Sequence, residues 1–213
     1  MLTLGQTPSI PVVSKVPTII LGMGALFGFP EQSDVPLIAA MVSSRRWPLI
    51  SNYGASGRTQ SLKLKIIDSF FKIRVSESQF NQVLIKLLRL TSSLTRSETL
   101  KIMVIVVRKT IIPSFFQQGS PDNVLHGIVI DNKVCHPKNN DFYHGNHDGM
   151  IGITRQTNYH VLLDQAGFSA DDLQEFVHSL SYMYQRSITA IFVVPPICYA
   201  HLATSQLGAI YED

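Results

Sequence analysis

The sequence predicts a layered α/β fold, and three observations carry that prediction. Short apolar runs bounded by glycine and proline alternate with stretches whose apolar residues recur at helical spacing. The run IMVIVV at residues 102–107 is continuous and rich in β-branched side chains, as a buried strand is. A chain of 213 residues, 45% of them hydrophobic, has room for one domain with a sizeable core.

The first three strands are expected at residues 18–23, 37–42 and 48–53, apolar runs separated by polar turns as in a meander, with Arg45 and Arg46 at the second turn. A helix over 61–71 would bury Ile66, Ile67, Phe70 and Phe71 on one face. A second helix starts at Ser76, with Gln79 three residues on as in a capping box. Phe80, Val83, Leu84, Leu87 and Leu88 follow at helical spacing. Residues 101–107 are the expected central buried strand, and 127–130 with 159–163 form a hairpin-like pair around a polar run. Over 170–186 a helix is specified at its start by Ser169 and Asp172 as caps, with Asp171 and Asp172 complementing its dipole. Leu173, Phe176, Val177, Leu180 and Tyr184 make its apolar stripe. A strand at 190–194 and a helix at 197–207 complete the pattern, with no internal repeat.

Composition narrows the function classes. A formal charge of +3 and a pI near 8.9 are compatible with a phosphate-bearing partner but far from a histone-like arm. Cys135 and Cys198 are far apart and lack a CxxC partner, so neither a disulfide framework nor a zinc site is indicated. Every apolar run is interrupted before the ~18 residues a membrane span needs. The first residues lack the charged start of a signal peptide, so a nuclear or cytoplasmic protein with no membrane partner is expected.

Between Asp131 and Asp164 the density of His, Asn, Arg and Tyr exceeds what an apolar core requires. Around it the words QSDVP, WPLISNYGASGRTQ, VSESQFNQVL, FFQQGSPDNV, VCHPKNNDFY, DDLQEFVHSLSY, YQRS and CYAHLA follow in order. Together they resemble the Piwi domain of the Argonaute family, and most of all the plant clade that acts in small-RNA-directed DNA methylation. The resemblance runs from about Ile10 to Asp213, giving residues 1–15 as an N-terminal extension and 16–213 as a truncated Piwi domain. It covers the Piwi part alone, without the N-terminal lobe, PAZ or Mid domains.

The resemblance implies an incomplete ribonuclease H-like fold and a family that cuts RNA with Mg²⁺ or Mn²⁺ held by two Asp, one Glu and one His. Two such cations stay together only when several carboxylates neutralise them. Matched word by word, the first Asp position is Gly24, with Leu26 and Phe27 in place of the Ser and His that follow it. The Glu position is Lys65. The second Asp ends a strand that reads as deleted between 71 and 75, where Ile73 stands nearest. Of the four ligands only the His remains, as His201, so the resemblance implies a degenerate site with no metal and no cofactor. A satisfied, partly buried histidine is the expected state of His201, and no elbow or triad word makes Ser181, Ser205 or Cys198 a nucleophile beside it.

The guide-holding positions are better kept. They match His147, Arg155, Tyr184 and Arg186, whose contacts in the family go to the guide backbone and so bind RNA without reading bases. Erosion reaches this surface too, with Ile111 and Ile112 where two His belong, Phe192 for a Ser and Gln206 for an Arg. The resemblance implies small or single-stranded RNA, held weakly, as the partner, with Gly-Trp-motif proteins as a further class. The expected function is cleavage-inactive RNA binding in small-RNA gene silencing. The alternatives are a guided RNA endonuclease, a partner-binding decoy and a decayed gene product.

Overall fold

The chain places β-branched and small residues where two antiparallel sheets form, and one helix accompanies each. The structure, a computed structural model, describes residues 10, 13–26, 37–45, 52–60, 101–109, 127–132, 135, 140–145 and 156–210. Among them the order is β1 (Leu21–Leu26), β2 (Leu37–Ser44), β3 (Tyr53–Gln60), β4 (Met103–Lys109), β5 (Ile128–Ile130), β6 (Asp141–Gly145), β7 (Gln156–Asp164), α1 (Ala170–Ser181) and α2 (Pro195–Ala209). They divide between two compact units, one containing β4 to β7 with α1, the other β1 to β3 with nearly all of α2. The two helices expected within 61–88 lie outside the described residues.

The first sheet has the order β1-β2-β3, antiparallel throughout. Its register aligns Gly24, Ala40 and Gly57 in one row across the strands, flanked by the row Gly22, Val42, Ala55 and the row Leu26, Ile38, Thr59. Directly paired residues share a face, so small side chains form a shallow trough there. Helix α2 lies in it. A Cβ on Gly22 would overlap the backbone carbonyl of Pro196, one on Gly24 would sit 3.4 Å from the Ala200 Cβ, and one on Gly57 would overlap the Leu207 Cδ1. From Gly22 to Gly24 a strand advances about 6.6 Å. From Pro196 to Ala200 a helix advances about 6 Å, so α2 tracks along β1 nearly in step.

The second sheet has the order β4-β7-β6-β5. Phe142 on β6 and Tyr159 on β7 stack at 5.4 Å and are almost wholly buried, and the Tyr159 hydroxyl accepts the Val194 N–H at 3.3 Å. Burial pushes the Tyr159 phenol far above its usual range, so it stays neutral. The Asp164 carboxylate accepts the N–H groups of Ala166, Gly167 and Phe168 at 2.8, 3.0 and 2.8 Å, making the turn into α1, with Gly167 at a φ of 81°. Ser169 then caps α1 by accepting the Asp172 N–H at 3.0 Å, and Leu173, Phe176, Val177 and Leu180 are the buried stripe.

Several expectations are corrected. The run at 102–107 forms β4, but among the described residues it lies at one end of its sheet rather than the centre, with Val104 its one buried residue. Of the strand expected at 48–53, residues 48–51 lie outside the described residues, while the polar segment YGASGRTQ, Tyr53–Gln60, is a strand that pairs with β2 and was not expected. Residues 127–130 do not pair with 159–163: β6, hidden in the polar run, lies between β5 and β7. Helix α1 stops at Ser181, leaving Tyr184 beyond it, and 190–194 is partly buried irregular chain rather than a strand.

Candidate nucleic-acid interface

In the α2 unit, the trough decides what surrounds His201. Position 24, where the resemblance puts an acid, is a glycine whose Cβ direction meets Ala200 and, at 3.6 Å, the backbone nitrogen of His201. Strand pairing and helix packing thus bring the two matched positions side by side, although they are far apart in sequence. His201 itself is exposed, not partly buried as expected, at the border of the helix face that buries Ala200 and Thr204. Its backbone carbonyl accepts the hydroxyls of Thr204 at 2.8 Å and Ser205 at 3.0 Å. Ser205 is therefore bound to the helix backbone in the manner of serines inside helices, not poised on the imidazole. Cys198 is half-buried.

In the same unit, Tyr53 and Tyr199 meet with ring centroids 5.2 Å apart. Burial, reinforced by the Tyr199 phenol, pushes the Tyr53 hydroxyl far above its ordinary range. It serves packing, not proton transfer.

In the α1 unit, the segment after α1 carries two of the expected RNA contacts. Tyr184 is half-buried and Arg186 exposed, on a turn closed by the Ser187 N–H donating to the Tyr184 carbonyl at 3.2 Å. The Ser187 hydroxyl donates to the Thr189 carbonyl at 2.9 Å and accepts the Thr189 N–H at 3.2 Å, which stiffens the turn. Two further bonds return the chain to the core: the Ile191 N–H to the Ser181 carbonyl at 3.0 Å, and the Thr157 hydroxyl to the Phe192 carbonyl at 2.7 Å. Phe192 is 38% exposed. His147 and Arg155, and likewise Lys65, Ile73, Ile111 and Ile112, lie outside the described residues.

Polar groups on β6 and β7 were not foreseen as partners. Asn158 is buried and donates to the Asp141 carboxylate at 2.5 Å, while His160 lies 3.9 Å from the same carboxylate. Near them Cys135 donates to the Ile130 carbonyl at 3.2 Å. Burial, then Asp141 and Asp131, push its thiol above the ordinary cysteine value. His144, fully buried, meets His178 of α1. The alternation of Phe142 and His144 is the signal that could have found this strand, had histidine been counted as a core residue. Among the described residues no three His, Cys, Asp or Glu side chains gather as a metal site.

This fold, with the words matched above, defines a class. Residues 70–212, more than half of the chain, match the Piwi domain, and the chain belongs to that family. Among named relatives it is 50% identical to protein argonaute 4 of Arabidopsis thaliana, covering 100% of this chain and 27% of that protein. It is 51% identical to protein argonaute 4B of Oryza sativa subsp. japonica, over 100% of this chain and 28% of that one. The chain thus spans about a quarter of the length of these relatives. The first alignment is 252 residues long against a chain of 213, so argonaute 4 carries stretches with no counterpart here. Among solved structures, the C-terminal lobe of a budding yeast Argonaute superposes with a TM-score of 0.76 at 21% identity, over 95% of this chain and 49% of that one. Kluyveromyces polysporus Argonaute with a guide RNA gives 0.70 at 20% identity, over 95% and 29%. Both establish the fold as that of an Argonaute Piwi lobe, present here in part.

Proposed function

We propose that the chain binds small or single-stranded RNA through its backbone and does not cut it. One observation carries the second half of the reading: the position beside His201 that should supply a carboxylate is Gly24, packed in a trough of small residues against Ala200 and the His201 backbone. A divalent metal pair does not fit the described residues there, since glycine offers no donor and one exposed imidazole cannot neutralise two cations. Lys65 at the matched Glu position would add positive charge rather than remove it. For the first half, support comes from family membership, the solved relative that carries a guide RNA, and the exposed Arg186 beside Tyr184 on a stiffened turn. On this reading His147 and Arg155 add further backbone contacts, no cofactor is used, and the protein acts in the nucleus or cytoplasm. Gly-Trp-motif proteins are a further proposed partner class.

The test is incubation of the purified chain with a guide-paired, end-labelled RNA and Mg²⁺ or Mn²⁺. We expect RNA retention at low salt and no product, for the wild type and for Gly24→Asp alike. Cleavage at a fixed position opposite the guide, abolished by His201→Ala, would overturn the inactive reading; absence of retention at low salt would overturn the binding one.

A further inference from the structure

We propose that the segment from Tyr182 to Phe192 seats unpaired bases as well as phosphate: Ile188 and Phe192 are the apolar surface on which bases of single-stranded RNA rest, while Arg186 holds the strand by its phosphate. The inference rests on the reading of Arg186 given above and adds a contact that a phosphate-only surface lacks. Among the described residues seven large hydrophobic residues are exposed, and three of them, Tyr182 at 43%, Ile188 at 102% and Phe192 at 38%, fall within these eleven positions. Arg186, also exposed, stands between the first two in sequence. One exposed apolar residue is ordinary. Three on one short segment with an arginine make a mixed patch of the kind that marks an interaction surface.

The backbone beneath these side chains is fixed. Met183, Ala190, Val193 and Val194 are buried, and the Ile191 N–H donates to the Ser181 carbonyl at 3.0 Å, which closes the segment into a loop at its base. Around Ile188 the lock is tighter: the Ser187 hydroxyl reaches across it, donating to the Thr189 carbonyl at 2.9 Å and accepting the Thr189 N–H at 3.2 Å. Ile188 therefore projects from an ordered turn, and its branched side chain has few rotamers to lose when something packs on it. Phe192 is fastened through its carbonyl, which accepts the Thr157 hydroxyl of β7 at 2.7 Å. An apolar side chain left wholly in water, as Ile188 is, adds nothing to the core.

A polyanion with apolar faces fits this pattern. Its phosphate pairs with the guanidinium, and a base that is neither paired nor stacked offers a flat face to an aromatic ring or a branched aliphatic side chain. In a duplex the base faces are stacked on one another, so only phosphate is left for Arg186. The patch thus favours single strands over duplexes. It tolerates any sequence, because every base has such a face, and it supplies a part of the affinity that salt does not weaken.

The test is fluorescence anisotropy of the full chain with a labelled single-stranded RNA of mixed sequence, and with the same strand in a blunt duplex, between about 50 and 200 mM salt. Phe192→Ser should weaken single-strand binding about fivefold or more, and Ile188→Ser should weaken it too, both with the salt slope and the duplex affinity unchanged. Arg186→Ala should instead flatten the slope on both RNAs. Ile188 is wholly exposed, so Ile188→Ser should keep the wild-type urea midpoint and does not depend on how Phe192→Ser folds. Wild-type affinity in Ile188→Ser, a loss shared by the duplex, or a flattened slope in either serine variant overturns the patch and leaves Arg186 standing. A wild type that holds neither RNA overturns the reading of Arg186 and the patch together. Self-association of the wild type that the serine variants lose, seen by sedimentation with RNA affinity intact, assigns the patch to a second copy of the chain and also overturns the proposal.

Discussion

Replacing Gly22 with alanine places a methyl group where the carbonyl of Pro196 already lies, and the consequence for stability can be worked through. The backbone there is ordinary β1 strand, not among the positive-φ glycines, so alanine needs no conformational concession. Restricting the unfolded chain by itself would stabilise by about 0.4–1 kcal/mol. Against this stands overpacking on a rigid neighbour: the obstruction is main chain at the start of α2, which can only retreat by shifting the helix along the trough. Such overpacking costs about 1–3 kcal/mol, leaving a net loss of about 1–2 kcal/mol. With an m-value of about 1–3 kcal/mol/M, the urea midpoint should drop by about 0.5–1 M. Gly57 and Gly24 supply the controls. At Gly57 the obstruction is the terminal Cδ1 of Leu207, which can change rotamer, so alanine should fall within about 0.5 kcal/mol of the wild type. At Gly24 the nearest atom is 3.4 Å away, so alanine should be neutral or slightly stabilising. A Gly22→Ala midpoint within error of the wild type, or a Gly24→Ala midpoint depressed as far as that of Gly22→Ala, refutes the close approach of α2 to β1.

Three further outcomes are expected. Ser169→Ala removes the hydroxyl that accepts the Asp172 N–H and should destabilise by about 0.5–2 kcal/mol, read as a lowered melting temperature; an unchanged one counts against the cap. Arg186→Ala and Arg155→Ala should each weaken RNA binding uniformly across sequences and flatten the log–log salt slope by about one, measured by filter binding; a sequence-selective loss means they do not contact phosphate. Alkylation of Cys135 should show its pH midpoint above that of a free cysteine, because burial and the two nearby aspartates oppose the thiolate; a midpoint at or below the free value contradicts that environment.

What was legible in the sequence followed from local chemistry. Ser169, Asp171 and Asp172 mark the start of α1 whatever surrounds it, and its stripe at 173, 176, 177 and 180 is buried as the period requires. The start of α2 was placed two residues late because Pro195 and Pro196 look like breakers, yet proline is well suited to a first turn, whose N–H groups have no helical partner. Strand β3 was illegible because Gly54, Ala55, Ser56 and Gly57 carry no apolar signal: pairing with β2 and cover from α2 make it a strand. Residues 190–194 show the reverse. They are apolar and partly buried as a strand would be, but the bonds that hold them go to the Ser181 carbonyl and the Tyr159 hydroxyl rather than to a neighbouring strand. For the site, the family words supplied the matched positions, while the contact between Gly24 and the His201 backbone exists only after β1 and α2 are packed.

The tie between Thr157 and residue 192 separates lineage from architecture. The bond is accepted by the main-chain carbonyl and so does not depend on which side chain stands at 192, and the buried neighbours Val193 and Val194 help to anchor the segment. Position 192 is thus fastened through its main chain, and a change of side chain there leaves this particular bond in place.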